Sequence, residues 1–279
     1  MAIGTTDAEQ VFLFDALTLD ASGHPAQRLF NLLRDPRKRK LVWDGRMDFI
    51  EIWSVYGIPL NGVLDLQIVE VVSRVLAGED DNQRLGRMAR MLGAKEVFRG
   101  KTRWKYDDIH RLCGMNECVK QCGFGSDYTK DEAVVRMHRN LGSAFWMDRP
   151  LSSQLLHYAA QDIKMISLIY EHFTTAGLLK DNMLPLLLDQ CKRYVSLHQQ
   201  SGRVEQGNSF RSNGFLPLDI LKMPSQDRRV CSGCNRFISA KYFNVGDKCR
   251  VCQAVILKEM LARDKELEKT RKTTKNRDA

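Results

Sequence analysis

Residues 41–70 read LVWDGRMDFIEIWSVYGIPLNGVLDLQIVE. The run KLVW at 40–43 is short, apolar and closed by Asp44, which predicts a strand. Residues 49–56 then place apolar side chains at helical spacing, and Gly57-Ile58-Pro59 breaks them. Val63-Leu64-Asp65-Leu66 predicts a further short strand, leading into a helix through Val75. Upstream, VFLF at 11–14 is another strand-like run, ended by Asp15, and residues 25–34 are amphipathic. Short strands alternating with helices imply an α/β layer with a largely parallel sheet.

Beyond this stretch the pattern changes. Residues 83–179 are mainly helical, punctuated by Gly100, the glycines at 123 and 125, and Arg149-Pro150. One more helix is expected over 181–198. Residues 199–214 (QQSGRVEQGNSFRSNG) are polar and rich in Gly and Ser, the composition of a linker. Strong helix formers with interleaved charges run from 251 to about 272, and the last few residues are polar enough for disorder. There is no internal repeat. The expected organisation is an α/β domain over 1–185, a helix and polar linker over 186–227, a small cysteine module over 228–256, and a charged helix and disordered tail over 257–279.

At 279 residues and 43% hydrophobic, the chain has material for a full core. Its longest apolar runs fall far short of the roughly 20 residues a bilayer crossing needs, and no basic region followed by an apolar stretch opens the sequence. Secretion and membrane insertion are therefore not expected, and the localisation read from the sequence is intracellular, nucleus or cytoplasm. Of the net charge of +9, the segment 227–279 carries +7. A basic tail attracts polyphosphate backbones through counterion release, which makes nucleic acid the natural partner; acidic proteins answer to the same physics.

Eight cysteines in such a chain favour reduced thiols or metal ligands over disulfides. Cys231-Ser232-Gly233-Cys234 and Cys249-Arg250-Val251-Cys252 are two CxxC knuckles with 14 residues between them. Each offers two sulfurs, and a loop of that length folds back to make a tetrahedral site for structural zinc (Zn2+). Phe237, Ile238, Tyr242 and Phe243 supply the small apolar core the module needs. Lys241, Lys248 and Arg250, with Tyr242 and Phe243, are candidates for phosphate contact and base stacking; a protein-binding or purely structural module is the competing reading. His110, Cys113, Cys118, Cys122 and Cys191 are read as packing residues, as are Trp43, Trp53, Trp104 and Trp146.

In WMDRPLSSQLLHYAAQD at 146–162, Tyr158 and Asp162 stand four residues apart, on one face of a helix. With Asp48 they form a set in which two carboxylates grip a divalent ion and a phenol orients water. A Tyr and an Asp at that spacing also occur in many helices that hold no site.

Three segments together, VFLFDALTL, the 41–70 stretch and WMDRPLSSQLLHYAAQD, resemble the DnaQ-like 3′-5′ exonucleases of the ribonuclease D branch, over residues 11–179. The resemblance implies a ribonuclease H-like exonuclease fold, N-terminally incomplete and helix-rich in its second half, with a zinc-ribbon-like module appended. It implies two-metal hydrolysis of phosphodiester bonds from the 3′ end of a single strand, RNA or DNA, with Mg2+ or Mn2+ as the catalytic ion. Asp48 matches the second-motif metal-binding aspartate, and Tyr158 and Asp162 match the third motif; Asp65 matches a recurrent aspartate read as structural. The family's first motif, an Asp-x-Glu on the opening strand, has no counterpart here. VFLFDALTL is read as the family's third strand, with the first two absent, and Asp7-Ala8-Glu9 lacks an apolar strand to present it. The expectation is therefore an exonuclease-family protein with impaired hydrolysis, through truncation or through loss. The alternative is a non-catalytic nucleic-acid-binding or adaptor protein, with a protein partner engaged through the C-terminal module.

Overall fold

In the computed structural model, which describes residues 1–125, 128–142, 144–199, 208–211 and 213–275, the segment over 41–70 folds as its pattern predicts. Strand β3 (Lys40–Val42) pairs in parallel with β4 (Val63–Asp65), and helix α2 (Arg46–Tyr56) connects them. Leu64 is fully buried, and the strand runs directly into α3 (Leu66–Leu76). The amphipathic stretch before β3 is helix α1 (His24–Arg34), opened by Pro25 and burying Ala26, Leu29, Phe30 and Leu33.

VFLF departs from the expectation. Residues Val11–Leu13 (β2) pair antiparallel with β1 (Ala2–Gly4), a strand too short to carry a sequence signal, so at least one strand precedes VFLF. Among the described residues the strands form three two-stranded sheets, and one of these is parallel, which corrects the expected largely parallel sheet. The class is α/β and helix-rich.

Helices α4 (Asp81–Leu92), α5 (Ala94–Val97), α6 (Met115–Gln121), α7 (Glu132–Leu141), α8 (Ser153–Thr175) and α9 (Leu184–Val195) follow. Asp80 and Gln83 make a reciprocal capping box that opens α4. Ser152 caps α8 by accepting from Leu155 N at 3.3 Å. Strands β5 (Arg228–Val230) and β6 (Phe237–Ser239) form an antiparallel hairpin, and α10 (Arg250–Lys275) closes the described chain. The linker expected over 199–214 lies largely outside the described residues, as does the polar tail beyond 275.

The chain divides into two compact units that interleave in sequence. The first contains Met1–Ser73 and Cys113–Arg203; the second contains Arg74–Leu112 and Val204–Ala279. In the first, α9 packs on β4, and α8 packs on β1, β2 and β3. In the second, Leu85, Met88 and Leu92 of α4 share one core with Ile238, Tyr242, Val251 and the four cysteines of the paired knuckles. Packing thus assigns α4 and α5 to the cysteine-bearing unit and α9 to the α/β unit, whereas the chain-order reading placed its boundaries at 185 and 228. No described helix is long and apolar enough to cross a membrane.

Candidate active site and metal centre

The first unit's site is built outward from Asp65. Its buried carboxylate accepts from the amides of Asp44 (3.2 Å), Gly45 (2.8 Å) and Gln67 (3.0 Å). Burial, then the charge of Asp44, push its pKa up to about 7, and the three amides offset part of that. Asp65 therefore ties the end of β3 to the start of α2, consistent with a structural role. Asp44, held at a positive φ, pairs with Arg46 at 2.6 and 2.9 Å and accepts from the Tyr194 hydroxyl at 3.1 Å.

This turn places Asp48 in the first turn of α2. Asp48 is solvent-exposed, so the charges around it are partly screened by water. Desolvation, then the like charges of Asp44 and Asp162, raise its pKa to about 6, while the chain's amino terminus and Lys130 pull the other way. Asp162 thus lies close enough to be felt by Asp48, although they come from helices far apart in sequence.

On α8, Tyr158 and Asp162 share a face. The Tyr158 ring is buried among Val134, Leu155 and the aromatic side chains of His138, Phe145 and Trp146, and Trp146 donates to His138 Nε2 at 2.8 Å. Burial raises the pKa of the Tyr158 phenol, opposed by Lys130. Lys130 was not singled out by the sequence reading. Its ammonium reaches both carboxylate oxygens of Asp162, at 2.9 and 3.1 Å, and stands 5.2 Å from the Tyr158 ring centroid. Lys130 thus stands against Tyr158 and Asp162, and Asp48 lies near enough to feel the Asp162 and Lys130 charges without touching them in any described contact. The Lys130 signal was weak because it sits between elements, outside any periodic pattern.

Asp7-Ala8-Glu9 forms the hairpin turn between β1 and β2, with Ala8 at φ 57° and the Asp7 carboxylate occupied by Thr5 and the Glu9 amide. Asp15 is engaged by Arg149 through two contacts of 2.8 and 2.6 Å.

Among the described residues, one group of three or more metal-type ligands lies within reach of a single ion. It consists of Cys231, Cys234, Cys249 and Cys252, whose sulfurs all fall within 4.8 Å of one another. Tetrahedral zinc with bonds near 2.3 Å sets sulfurs about 3.8 Å apart, and Cys231 and Cys252 stand at 3.6 Å, so the donor set and its size suit that ion. Gly233 makes the approach feasible, because a Cβ there would lie 2.9 Å from the Cys252 sulfur. Asn235, at φ 56°, turns the first knuckle back so that its amide donates to Cys231 O at 2.8 Å. The second knuckle enters α10, whose N-terminal dipole favours thiolate.

The module's surface corrects two expectations. Tyr242 (3% exposed) and Phe243 (9%) are core residues and cannot stack on bases, whereas Phe237 (59%), expected in the core, is at the surface. Cys113, Cys118 and Cys191 are buried, in line with packing roles. Trp104 is 46% exposed and is not a packing residue.

No protein-family model matches the chain, and no curated protein matches it. Among solved structures, it is similar to the crystal structure of Trypanosoma brucei RNase D, with 24% identity and a TM-score of 0.45 over 67% of this chain and 53% of that one. It is also similar to Trypanosoma brucei RNase D in complex with RNA U12, with 23% identity and a TM-score of 0.46 over 74% and 58%. The chain spans a little over half the length of these solved chains.

Proposed function

We propose that the chain is a nucleic-acid-binding protein of the 3′-5′ exonuclease family, with Asp48, Tyr158 and Asp162 as the residues of a divalent-ion site that is impaired for hydrolysis. What supports this reading is that Asp48, in the first turn of α2, is near enough to Asp162 of α8 to feel its charge, while Tyr158 lies one turn before Asp162 on the same helix. Hard oxygen donors suit Mg2+ or Mn2+, which would supply Lewis acidity to a scissile phosphate. Asp48 and Asp162 would hold the ion. Tyr158, its ring fixed by His138 and Trp146, would present its hydroxyl to a water. Two carboxylates are fewer than the family's four, so these residues would hold an ion weakly and hydrolysis would be slow. RNA and DNA single strands are both admissible substrates.

The Lys130–Asp162 ion pair favours a second reading, a non-catalytic binding or adaptor protein, because it neutralises the Asp162 charge without metal. The four-cysteine cluster is proposed as a structural zinc site with no catalytic part, since four thiolates leave no open coordination position.

The test is hydrolysis of a 3′-labelled single strand with Mg2+ or Mn2+, comparing the chain with Asp162→Ala. Slow 3′-end shortening that the substitution removes supports the exonuclease. Equal background in both, with strand binding retained, supports the binding protein instead.

A further inference from the structure

We propose that the Lys130 ammonium is an internal counter-ion seated in the cation position of Asp162, so that a divalent ion enters this site only by displacing it. The inference rests on the assignment of Asp48, Tyr158 and Asp162 as a metal site and adds how that site is regulated.

Lys130 is not a loose surface lysine. Its side chain is 22% exposed, and its amide donates to Asn116 Oδ1 at 3.0 Å. The next residue, Asp131, caps α7 through Ala133 N at 2.7 Å and accepts from Gln154 of α8 at 2.8 Å. The backbone around Lys130 is thereby tied to α6, α7 and α8, and the ammonium is aimed at α8.

Its donors then meet a set of acceptors. Both oxygens of Asp162 lie within 3.1 Å, and the Tyr158 ring centroid is 5.2 Å away. The ammonium donates to Asp162 Oδ2 and stands 2.9 Å from Oδ1, which has no hydrogen-bond partner of its own, so it fills the side of the carboxylate a cation would approach and neutralises its charge. Asp48 is close enough to sense both the Asp162 charge and the Lys130 charge, so the lysine also screens the repulsion that a divalent ion would otherwise relieve. Replacing one tethered positive charge with a divalent ion gains a single unit of charge at the cost of stripping an anchored ammonium from its partners. Metal occupancy should be low for that reason.

The experiment is titration of Mn2+ into this 279-residue chain, prepared with zinc, at neutral pH, read by calorimetry and by loss of the free-manganese paramagnetic signal. Lys130→Met should bind Mn2+ at least about 10-fold more tightly than the unsubstituted chain, and the double variant Lys130→Met with Asp162→Ala should lose that gain. Lys130→Arg, which keeps the charge, should stay as weak as the unsubstituted chain. The proposal is overturned if Lys130→Met and Lys130→Gln, each melting as the unsubstituted chain does, bind Mn2+ equally or less tightly. Tight Mn2+ binding by the unsubstituted chain would overturn it too, while leaving the exonuclease reading intact. Conversely, a gain in Mn2+ affinity without any binding of a 3′-ended strand would sink the functional reading and leave the counter-ion role standing.

Discussion

Asp48 is costly to ionise where it stands. Its pKa is raised from the ordinary carboxylate value near 3.8 to about 6 by desolvation and by Asp44 and Asp162, so its charge disfavours the folded state. The stabilising contribution of the protonated form is complete below about pH 4 and is lost as pH rises through about 6. Asp48→Asn should therefore melt higher than the unsubstituted chain at pH 7 to 8, by at most about 2 °C because water screens this exposed carboxylate, and the gap should close as pH falls from 6 to 4. Thermal melts followed by circular dichroism across that range check it; a gap that does not depend on pH would assign the effect to something other than charge. At this scale the i, i+4 spacing of Tyr158 and Asp162 was legible as one helix face, and α8 carries both; Asp48 came from the family resemblance, since no periodic signal marks the first turn of α2. The sequence did not carry Lys130, whose place depends on Asn116, Asp131 and Gln154 acting together, nor the pairing of Asp15 with Arg149, 134 positions apart.

Helix α8 brings Tyr158 and Asp162 to the site, and the β1–β2 hairpin is part of what holds it. A Cβ at Gly4 would collide with the γ-methyl of Ile163, the neighbour of Asp162. Strand and helix are in closest approach there, and a methyl group can enter only if one moves. Gly4→Ala should destabilise the first unit by about 1–3 kcal/mol, as overpacking does, and should weaken Mn2+ binding in a Lys130→Met background by displacing Asp162. Denaturant melts and a repeat of the manganese titration check both effects, and unchanged values would mean the hairpin is not a support for α8. The long helices were legible from apolar spacing and caps, as with the Asp80–Gln83 box and the Ser152 cap. Strand β1 was not. Three residues, Ala-Ile-Gly, are too few for a period-two pattern, and their pairing comes from the partner strand rather than from propensity.

On the scale of the whole molecule, the division into two units follows packing rather than chain order. Chain order suggested an α/β domain with a small module hung behind it. The alternation of elements could not reveal that Leu85, Met88 and Leu92 share a core with Cys231, Cys249 and Cys252, because periodicity says which face is buried and not against what. That shared core has a thermodynamic consequence if zinc holds the four sulfurs. Structural zinc contributes about 10–16 kcal/mol of apparent binding free energy to small modules, which is comparable with the whole stability of an ordinary domain, about 5–15 kcal/mol. The module's hairpin is short, and its four cysteines sit inside the core that Leu85, Met88 and Leu92 share, so sulfurs that repel one another without an ion disrupt that core from within. Removing zinc with a high-affinity chelator should therefore expose α4, remote in sequence from the nearest cysteine of the cluster, together with α10, while α8 in the other unit stays protected. Hydrogen exchange resolved by peptide measures this directly. Fast exchange over residues 81–92 after chelation, reversed by added zinc, is the expected result. Protection of α4 that survives metal removal would show that the helix is held by its apolar contacts alone, with the metal stabilising only its own knuckles.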